Sequence, residues 1–380
     1  MRTCVISSYP PEKEGVGLYS KRLVENLSKN KINVEVITFS KNKNKEVEPL
    51  LSWNPFIISK FYTKLKKFDI IHLQYAISIY RIYSLLLFII LYFFKLNNDK
   101  KIVVTFHEVK RETDKLGNLG FLYYKWISKI FNRIYVHTEQ AKSILIDKCR
   151  VSDLKIKVIP HGVFEFKNKK NLTKEIRKRY GLGNKKIVLF FGYINKDKGT
   201  EYLIKAAREF YDANPKKEKE VVFLIAGSVR PRKGLFKLFQ KEDLEYYTSL
   251  RDLVKKLNLK EKVIFTGYVR EEETYSVFKL SEIIVLPYIN VEQSGVLNWA
   301  LASQRPIIAS NIGGLKETLG SPGILVEPRN FKSIANKIER LLADKKYSLS
   351  IIKCYKSIIS NQSTPKVIKK QIEDYKLILK

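Results

Sequence analysis

The sequence predicts an α/β protein made of two doubly wound parallel sheets, and three observations carry that prediction. Short β-branched runs alternate with helical patterns along the whole chain, as consecutive βαβ units require. The runs fall into two sets of equal number. The length, 380 residues, exceeds what one ordinary core organises and suits two domains of about 150–190 residues. In the first half the strands read as Thr3–Ser7, Val34–Phe39, Ile70–Gln74, Ile102–His107, Ile134–Thr138 and Lys157–Pro160. In the second they read as Ile187–Gly192, Val221–Ala226, Val263–Thr266, Glu282–Leu286, Pro306–Ser310 and Ile324–Val326. Ligands of such sheets collect outside the carboxyl ends of the strands, so the loops after these runs are the candidate sites of chemistry.

Along the chain, the first loop, Ser8 to Gly17, holds Pro10, Pro11, Gly15 and Gly17. It feeds a helix from about Leu18 to Lys29 with Leu23, Val24 and Leu27 on one face. Glycine there permits close backbone approach at a helix N-terminus, suited to a phosphate or a sugar; such turns also take glycine for steric reasons alone. Ser84 to Phe94, preceded by Ile77, Ile79 and Ile82, is the longest apolar run. About 20 apolar residues are needed to span a bilayer. This run is shorter, follows Arg81 and stops at Lys95. Lying between two strands, it reads as a crossover helix buried on the sheet, with a membrane-resting helix as the alternative. Phe121 to Arg133 interleaves aromatic and basic residues. It suits either a core-facing helix with a basic outer face or a segment held at an anionic membrane surface.

The four histidines, His72, His107, His137 and His161, are read at the ends of four strands, where a cleft forms. No helical His-x-x-x-His pair or nearby cysteine accompanies them, so no metal site is expected. Phe166 to Lys186 carries nine Lys or Arg against the single acid Glu175 and ends in Gly-Leu-Gly-Asn, a polar connector. The expected domains are therefore 1–165, a basic linker at 166–186, and 187–364, with a basic helix over 365–380. In the second half, Phe-Phe-Gly-Tyr from Phe190 leads to Lys198 and Gly199 at a helix start. There an ammonium can neutralise a diphosphate, or simply be solvated. The strand ending at Leu286 leads through a loop bearing Glu292 to Ser294 and Gly295, which open an apolar helix. Amides at that first turn favour a phosphate, and a carboxylate just before them can accept from sugar hydroxyls. Diphosphate and sugar together describe a nucleotide-sugar site.

Composition narrows the partners. A formal net charge of +33 points to a polyanion, whether anionic membrane, phosphorylated lipid or nucleic acid, or to lysines that only solvate the surface. No zinc-knuckle, RNP-type or helix-turn-helix signature is present, so nucleic acid is not an expected partner. Cys4, Cys149 and Cys354 have neither metal-ligand nor disulfide spacing, which suits a reducing cytosol. Met1 leads within a few residues into a strand, so no signal peptide is expected.

Taken in order, the pieces are Gly-Val-Gly at 15–17, Thr-Phe-His-Glu at 105–108, Ile-Pro-His-Gly-Val at 159–163, and Phe-Gly-Tyr with Lys-Gly at 191–199. Ile-Ala-Gly-Ser at 225–228, Phe-Thr-Gly-Tyr-Val at 265–269 and the stretch Glu292 to Glu317 complete the set. This order resembles the retaining glycosyltransferases of family 4, over essentially the whole chain. The resemblance implies the GT-B fold, two Rossmann-like domains facing a central cleft, with an acceptor-side N-terminal domain rejoined by the C-terminal helix. It further implies that His107 touches the donor sugar, Lys198 the diphosphate and Glu292 the sugar hydroxyls. The turn at Ser294, Gly295 and Val296 would bind phosphate. Gly192 and Tyr193 would lie at the donor, backbone near Tyr268 and Val269 would hold the base, and Gly15 or Gly17 would lie against donor or acceptor.

Two positions depart from the family pattern. A second Glu, assigned to the ribose, is Ala300 here, which leaves Asn298 as a substitute. The Arg usual before Lys-Gly is replaced near Tyr193, and Arg230 or Arg232 can supply that charge. No Asp-x-Asp pair is present, so neither a metal nor another cofactor is expected. The leaving diphosphate would be stabilised electrostatically by Lys198 and a helix end, and retention would follow from front-face transfer.

The expected function is a hexosyltransferase-type enzyme of cell-surface polysaccharide synthesis. It would use a UDP- or GDP-sugar and a glycan or lipid-linked acceptor, in the cytoplasm or peripherally on the inner face of the membrane. The alternatives are a non-catalytic basic protein binding membrane or polyanion on the same scaffold, and a GT-B nucleotide-sugar epimerase.

Overall fold

A computed structural model of the chain describes residues 1–11, 15–38, 47–49, 54–80, 83–163, 166, 170–231, 237–321 and 323–380. The chain forms two compact units, Met1–Gly162 with Gln362–Lys380, and Val163–Asn361.

The first unit runs β1 (Arg2–Ile6), α1 (Gly15–Lys29), β2 (Asn33–Ile37), β3 (Val47–Glu48), α2 (Pro55–Leu65), β4 (Ile70–Tyr75) and α3 (Ile77–Tyr80). It continues α4 (Tyr83–Leu96), β5 (Lys101–Phe106), α5 (Val109–Leu116), α6 (Asn118–Ile127), β6 (Arg133–Val136), α7 (Glu139–Ser143) and β7 (Ile156–Val158). The sheet order is β3-β2-β1-β4-β5-β6-β7, every pair parallel. The six sequence-read strands are all present within a residue or two at each end. The structure adds β3, too short to show a period.

Side chains of a strand point alternately to its two faces, and the core divides accordingly. Cys4 and Ile6 pack with Phe61, Leu73, Phe88 and Leu91, under α2 and α4. Val5 packs with Tyr19, Leu23, Val36 and Val103, under α1. Both faces are therefore covered, and β4, Ile-Ile-His-Leu-Gln-Tyr, is buried at every position, as a central parallel strand demands. Local chemistry sets the helix starts. Asn54 accepts from the Phe56 N–H at 3.0 Å and Pro55 occupies the first position of α2, where its missing N–H costs nothing.

The second unit opens with α8 (Thr173–Arg179), β8 (Lys186–Phe191), α9 (Thr200–Ala213), β9 (Val221–Ala226), α10 (Lys237–Lys256), β10 (Val263–Phe265) and α11 (Glu271–Leu280). It closes with β11 (Ile283–Leu286), α12 (Gly295–Ser303), β12 (Ile307–Ser310), α13 (Gly313–Leu319), β13 (Ile324–Val326), α14 (Phe331–Ala343) and α15 (Lys345–Asn361). Its sheet order is β10-β9-β8-β11-β12-β13, again all parallel. Residues 166–186, read from sequence as a connector, carry α8. That helix docks within the second unit: the Leu172 N–H donates to Ser276 Oγ at 2.8 Å, and Arg179 pairs with Glu273 on α11 at 2.5 Å.

The last helix, α16 (Thr364–Leu379), belongs to the first unit. Val367, Ile368, Ile372 and Tyr375 join the α1 side of its core. The buried Asp374 pairs with Arg133 Nε at 2.9 Å and accepts from Tyr135 Oη at 2.9 Å. Among the described residues, no helix is long and apolar enough to cross a membrane.

Candidate functional site

In the second unit the parallel sheet carries the loops after β8, β9, β10 and β11 to one edge, and the sequence-read donor residues fall on them. Gly192 and Tyr193 follow β8, and Arg230 follows β9. Tyr268 and Val269 follow β10, and Glu292 with the Ser294–Val296 turn follows β11. Arg232 lies outside the described residues. The order of the sheet reverses between β8 and β11, the switch point at which such folds bind ligands.

Two of these loops are zipped together there. After β8 the chain makes one tight turn over Lys196–Lys198, capped by Asn195, whose side-chain oxygen accepts from the Lys198 N–H at 3.2 Å. Asp197 O accepts from the Ile289 N–H at 2.9 Å and the Asn290 N–H at 3.3 Å, joining this turn to the loop after β11. Gly199 follows with φ 59°, and a Cβ there would lie 2.0 Å from Pro287 O, so only glycine allows the contact. The Lys198 ammonium consequently stands 3.7 Å from the centroid of the Tyr288 ring, a cation–π contact. Among the described residues no carboxylate pairs with Lys198.

The remaining pieces crowd the same point. A Cβ on Gly227, the glycine of Ile-Ala-Gly-Ser, would meet Gly192 O at 1.8 Å, so the loops after β8 and β9 run backbone to backbone. Val296, in the first turn of α12, lies 3.2 Å from where a Cβ of Gly192 would stand. Ser294 caps α12, its Oγ accepting from the Leu297 N–H at 3.3 Å, while its own N–H donates to Gln293 Oε1 at 2.8 Å. That leaves the exposed Gly295 at the tip of the helix. Glu292 is buried, and its carbonyl accepts from the Gly314 N–H at 2.9 Å. Gly192 thus meets the first turn of α12, while Lys198 and Glu292 stand on the two loops that the Asp197 carbonyl joins. Tyr268 stays on the surface beyond the edge strand β10, whereas Asn298 and Ala300 are buried in the unit's interior. Trp299 packs on Phe166, ring centroids 4.7 Å apart.

In the first unit, Gly15 starts α1 and Gly17 lies two residues on. Among the described residues a Cβ at Gly15 would meet nothing within 4 Å, and one at Gly17 would make ordinary contact with Ser8 at 3.5 Å. Packing within this unit therefore demands glycine at neither position. His107, His137 and His161 follow β5, β6 and β7. His72 lies inside β4 rather than at a strand end, because β4 continues to Tyr75. The rings of His107 and His137 are 4.9 Å apart, those of His137 and His161 5.3 Å, and Tyr19 of α1 touches all three at 4.8–5.2 Å. Burial, with mutual repulsion adding to it, holds His107 and His161 well below the imidazole range; it holds His72 down to about 3 and His137 to about 4. All four are neutral at neutral pH.

The protons of His72, His107 and His137 can be assigned from the partners. Ile159 O, 2.8 Å from His137 Nδ1, can only accept, so His137 carries its proton on Nδ1. Its Nε2 then accepts from His107 Nδ1–H at 3.2 Å. A neutral His107 then presents a bare Nε2 to Gln74, whose Oε1 stands 2.9 Å away; two acceptors cannot bond, so the amide is assigned turned over, with its NH2 toward His107. The amide oxygen and Thr105 Oγ1, the latter 2.7 Å away, then share the His72 Nε2–H, and Tyr375 Oη donates to His72 Nδ1. One directional chain of hydrogen bonds runs from α16 to the loop after β7.

Sequence reasoning missed Tyr19, Gln74, Tyr288 and Tyr375. Gln74 had a signal, standing two residues from His72 and so on the same strand face. Tyr375 had none, being 303 residues away in the chain. Among the described residues, no three His, Cys, Asp or Glu side chains are arranged to hold a metal ion.

Comparison with known proteins agrees with this architecture. The model of the glycosyl transferases group 1 matches residues 173–357, within the second unit, and that of glycosyltransferase family 4 matches residues 13–164, within the first. An uncharacterized glycosyltransferase of Methanocaldococcus jannaschii is 26% identical over 98% of this chain and 96% of its own length. A UDP-Gal:α-D-GlcNAc-diphosphoundecaprenol α-1,3-galactosyltransferase of Escherichia coli is 25% identical over 71% of this chain and 67% of its own. The crystal structure of Anabaena HepE in complex with UDP-glucose superimposes with a TM-score of 0.75 over 98% of both chains; at 15% identity this likeness speaks to the fold. With two parallel Rossmann-like sheets and both family domains in order, the chain belongs to the family 4 glycosyltransferases, enzymes of the GT-B fold.

Proposed function

We propose that this glycosyltransferase moves a hexose from a UDP- or GDP-sugar, with retention at the anomeric carbon and without a metal ion, to a glycan or lipid-linked acceptor of cell-surface polysaccharide synthesis. What supports the donor half is the joining of the loops after β8 and β11, which carry Gly192, Lys198, Glu292 and the α12 tip, at the switch point of one sheet. A half-buried ammonium with no carboxylate partner among the described residues, beside a helix N-terminus, is complementary to a diphosphate. Its charge lies where the leaving group develops its own, which is the effective use of such a group. The buried Glu292 is suited to sugar hydroxyls, and His107 is assigned to the sugar near the reacting carbon. Arg230 supplies a second positive charge. The base lies along the backbone at Tyr268 and Val269, and Gly15 and Gly17 leave room for donor or acceptor. With Ala300 in place of the second carboxylate, Asn298 and backbone groups are left to hold the ribose.

Anabaena HepE binds UDP and UDP-glucose, which favours uridine over guanosine. The Escherichia coli relative acts on a diphosphoundecaprenol-linked sugar, which favours a lipid-linked acceptor and a place at the inner face of the membrane. Free Cys4, Cys149 and Cys354 fit a reducing compartment.

The test is a donor screen with the purified protein, reading release of UDP or GDP with and without lipid extract. Lys198→Ala is expected to lower kcat by about 10²–10³, and Glu292→Ala to abolish turnover, both with unchanged circular dichroism. Absence of nucleotide release from every common donor would overturn the proposal.

A further inference from the structure

Apolar side chains on the surface of the first unit are not scattered. In α4, Ser84, Leu87, Phe88, Leu91 and Phe94 face the sheet and are buried. The opposite stripe, Leu85, Ile89, Tyr92, Phe93 and Leu96, is apolar as well and exposed, Leu85 and Leu96 by more than 60%. The sequence reading of this run as a helix buried on the sheet therefore holds for one face only. An ordinary surface helix turns a polar face to water; this one does not.

The neighbouring helices extend the patch. On α6, Leu119, Leu122 and Trp126 lie one helical turn apart and are 73%, 57% and 75% exposed. Phe56 on α2 is 86% exposed. The three helices are contiguous. Tyr62 of α2 meets Phe94 of α4 at 5.2 Å, and Phe88 of α4 meets Tyr123 of α6 at 6.1 Å. Between α2 and α4 lies a largely apolar groove of about 380 Å³ lined by Ile58, Ser59, Tyr62, Ile89, Ile90 and Phe93. A patch formed by three helices exceeds the scattered apolar exposure usual on a monomer.

Charge decides what covers it. None of α2, α4 and α6 contains a single Asp or Glu, while Lys60, Lys66 and Lys67 flank the patch on one side and Lys125 and Lys129 on the other, all exposed. Protein interfaces are depleted of lysine. A basic rim around Trp, Tyr, Phe and Leu is instead what an anionic headgroup layer over hydrocarbon accepts.

We propose that the outer face of α2, α4 and α6 is a docking surface for an anionic phospholipid leaflet, which seats Ile89, Phe93 and Trp126 among the acyl chains and the flanking lysines among the headgroups. This rests on the reading of a lipid-linked acceptor, which it deepens by naming the surface that brings the enzyme to it.

The test is flotation of the full chain with vesicles of phosphatidylglycerol and phosphatidylcholine, and with phosphatidylcholine alone, at low and high salt. Binding to the anionic vesicles is expected, weakened by salt. Ile89→Ser/Phe93→Ser/Trp126→Ser should reduce it at least about tenfold, and Lys60→Gln/Lys125→Gln/Lys129→Gln roughly a hundredfold. Leu349→Ser, an exposed apolar site on α15 in the second unit, should leave it unchanged. Because all these positions are exposed, the variants keep the fold. No vesicle binding, or binding indifferent to the triple serine variant, would overturn the proposal. So would vesicle-independent dimers in sedimentation velocity that the serine variant dissociates, since these assign the face to a second copy of the chain. Neither donor nor acceptor is present in the assay, so its failure leaves the transfer reaction standing, and a failed donor screen leaves vesicle binding standing.

Discussion

At the scale of single residues, the chemistry of the first unit turns on which atoms of four imidazoles carry protons. His107 is neutral because burial removes water from it, its tautomer is set by His137, and the Gln74 amide is oriented to match. Gln74→Glu would put a carboxylate against His107 Nε2 and favour the doubly protonated ring. The expected outcome is a His107 that titrates upward toward neutral pH, seen in long-range ¹⁵N–¹H spectra of the imidazoles, with kcat falling and with His72, the other partner of residue 74, shifting as well. A spectrum in which His107 stays neutral in the variant would refute the assignment. In the second unit Lys198 and Tyr288 form the corresponding pair. Lys198 was legible from its place after a strand and before a glycine, but Tyr288 was not. Its meaning comes from the Asp197 carbonyl that draws the two loops together, a contact between residues some ninety positions apart.

At the scale of elements, α16 shows how a terminal helix is secured. Its apolar stripe, Val367, Ile368, Ile372 and Tyr375, is the amphipathic pattern expected of a docked helix, but the ion pair of Asp374 with Arg133 adds specificity to the docking. Asp374 is buried and also receives the Tyr135 hydroxyl, so removing it leaves a cation and a phenol short of a partner. Asp374→Ala is expected to destabilise the first unit by roughly 3 kcal/mol, measured as a lowered urea midpoint. Asp374→Asn should recover part of this, because it retains an acceptor for Tyr135. The helix α4 teaches the complementary lesson. Its inner stripe follows from periodicity and burial, whereas the exposure of its outer stripe depends on which elements lie beside it.

At the scale of the whole molecule, the buried titratable groups make stability depend on pH from both sides. The histidines have folded pKa values below their unfolded ones, 6.5 against about 4 for His137 and about 3 for His72. Below pH 6.5 the unfolded chain takes up protons that the folded chain refuses, so their contribution is complete above 6.5 and is lost as pH falls toward those lower values. His137 alone accounts for roughly 3 kcal/mol over that window. Glu112 acts in the opposite sense. Burial outweighs its bonds from Tyr124 and the Ile77 N–H and raises it from 4.5 to about 8, so its contribution is lost as pH rises through that range. Urea midpoints should therefore peak near pH 6–7, with His137→Gln flattening the acid limb and Glu112→Gln the alkaline one. A midpoint that rises steadily down to about pH 4 would contradict the neutral cluster.

What could be read from the residues alone was whatever depends on short range. Alternation of β-branched runs with helical periods located twelve strands, and glycines after strands marked the turns at 15–17, 192, 199, 227 and 295. The ordered motifs identified the family. Hydrophobic pattern and backbone sterics act within a few residues, so they are written locally. The tertiary structure alone decided which strands adjoin, hence that the loops after β8 and β11 meet and set Lys198 on Tyr288, and that Tyr19, Gln74 and Tyr375 hold the histidines. It also decided that the lipid-like face of α4 is left open. Each of these follows from the packing of segments tens to hundreds of residues apart, and no local propensity encodes that.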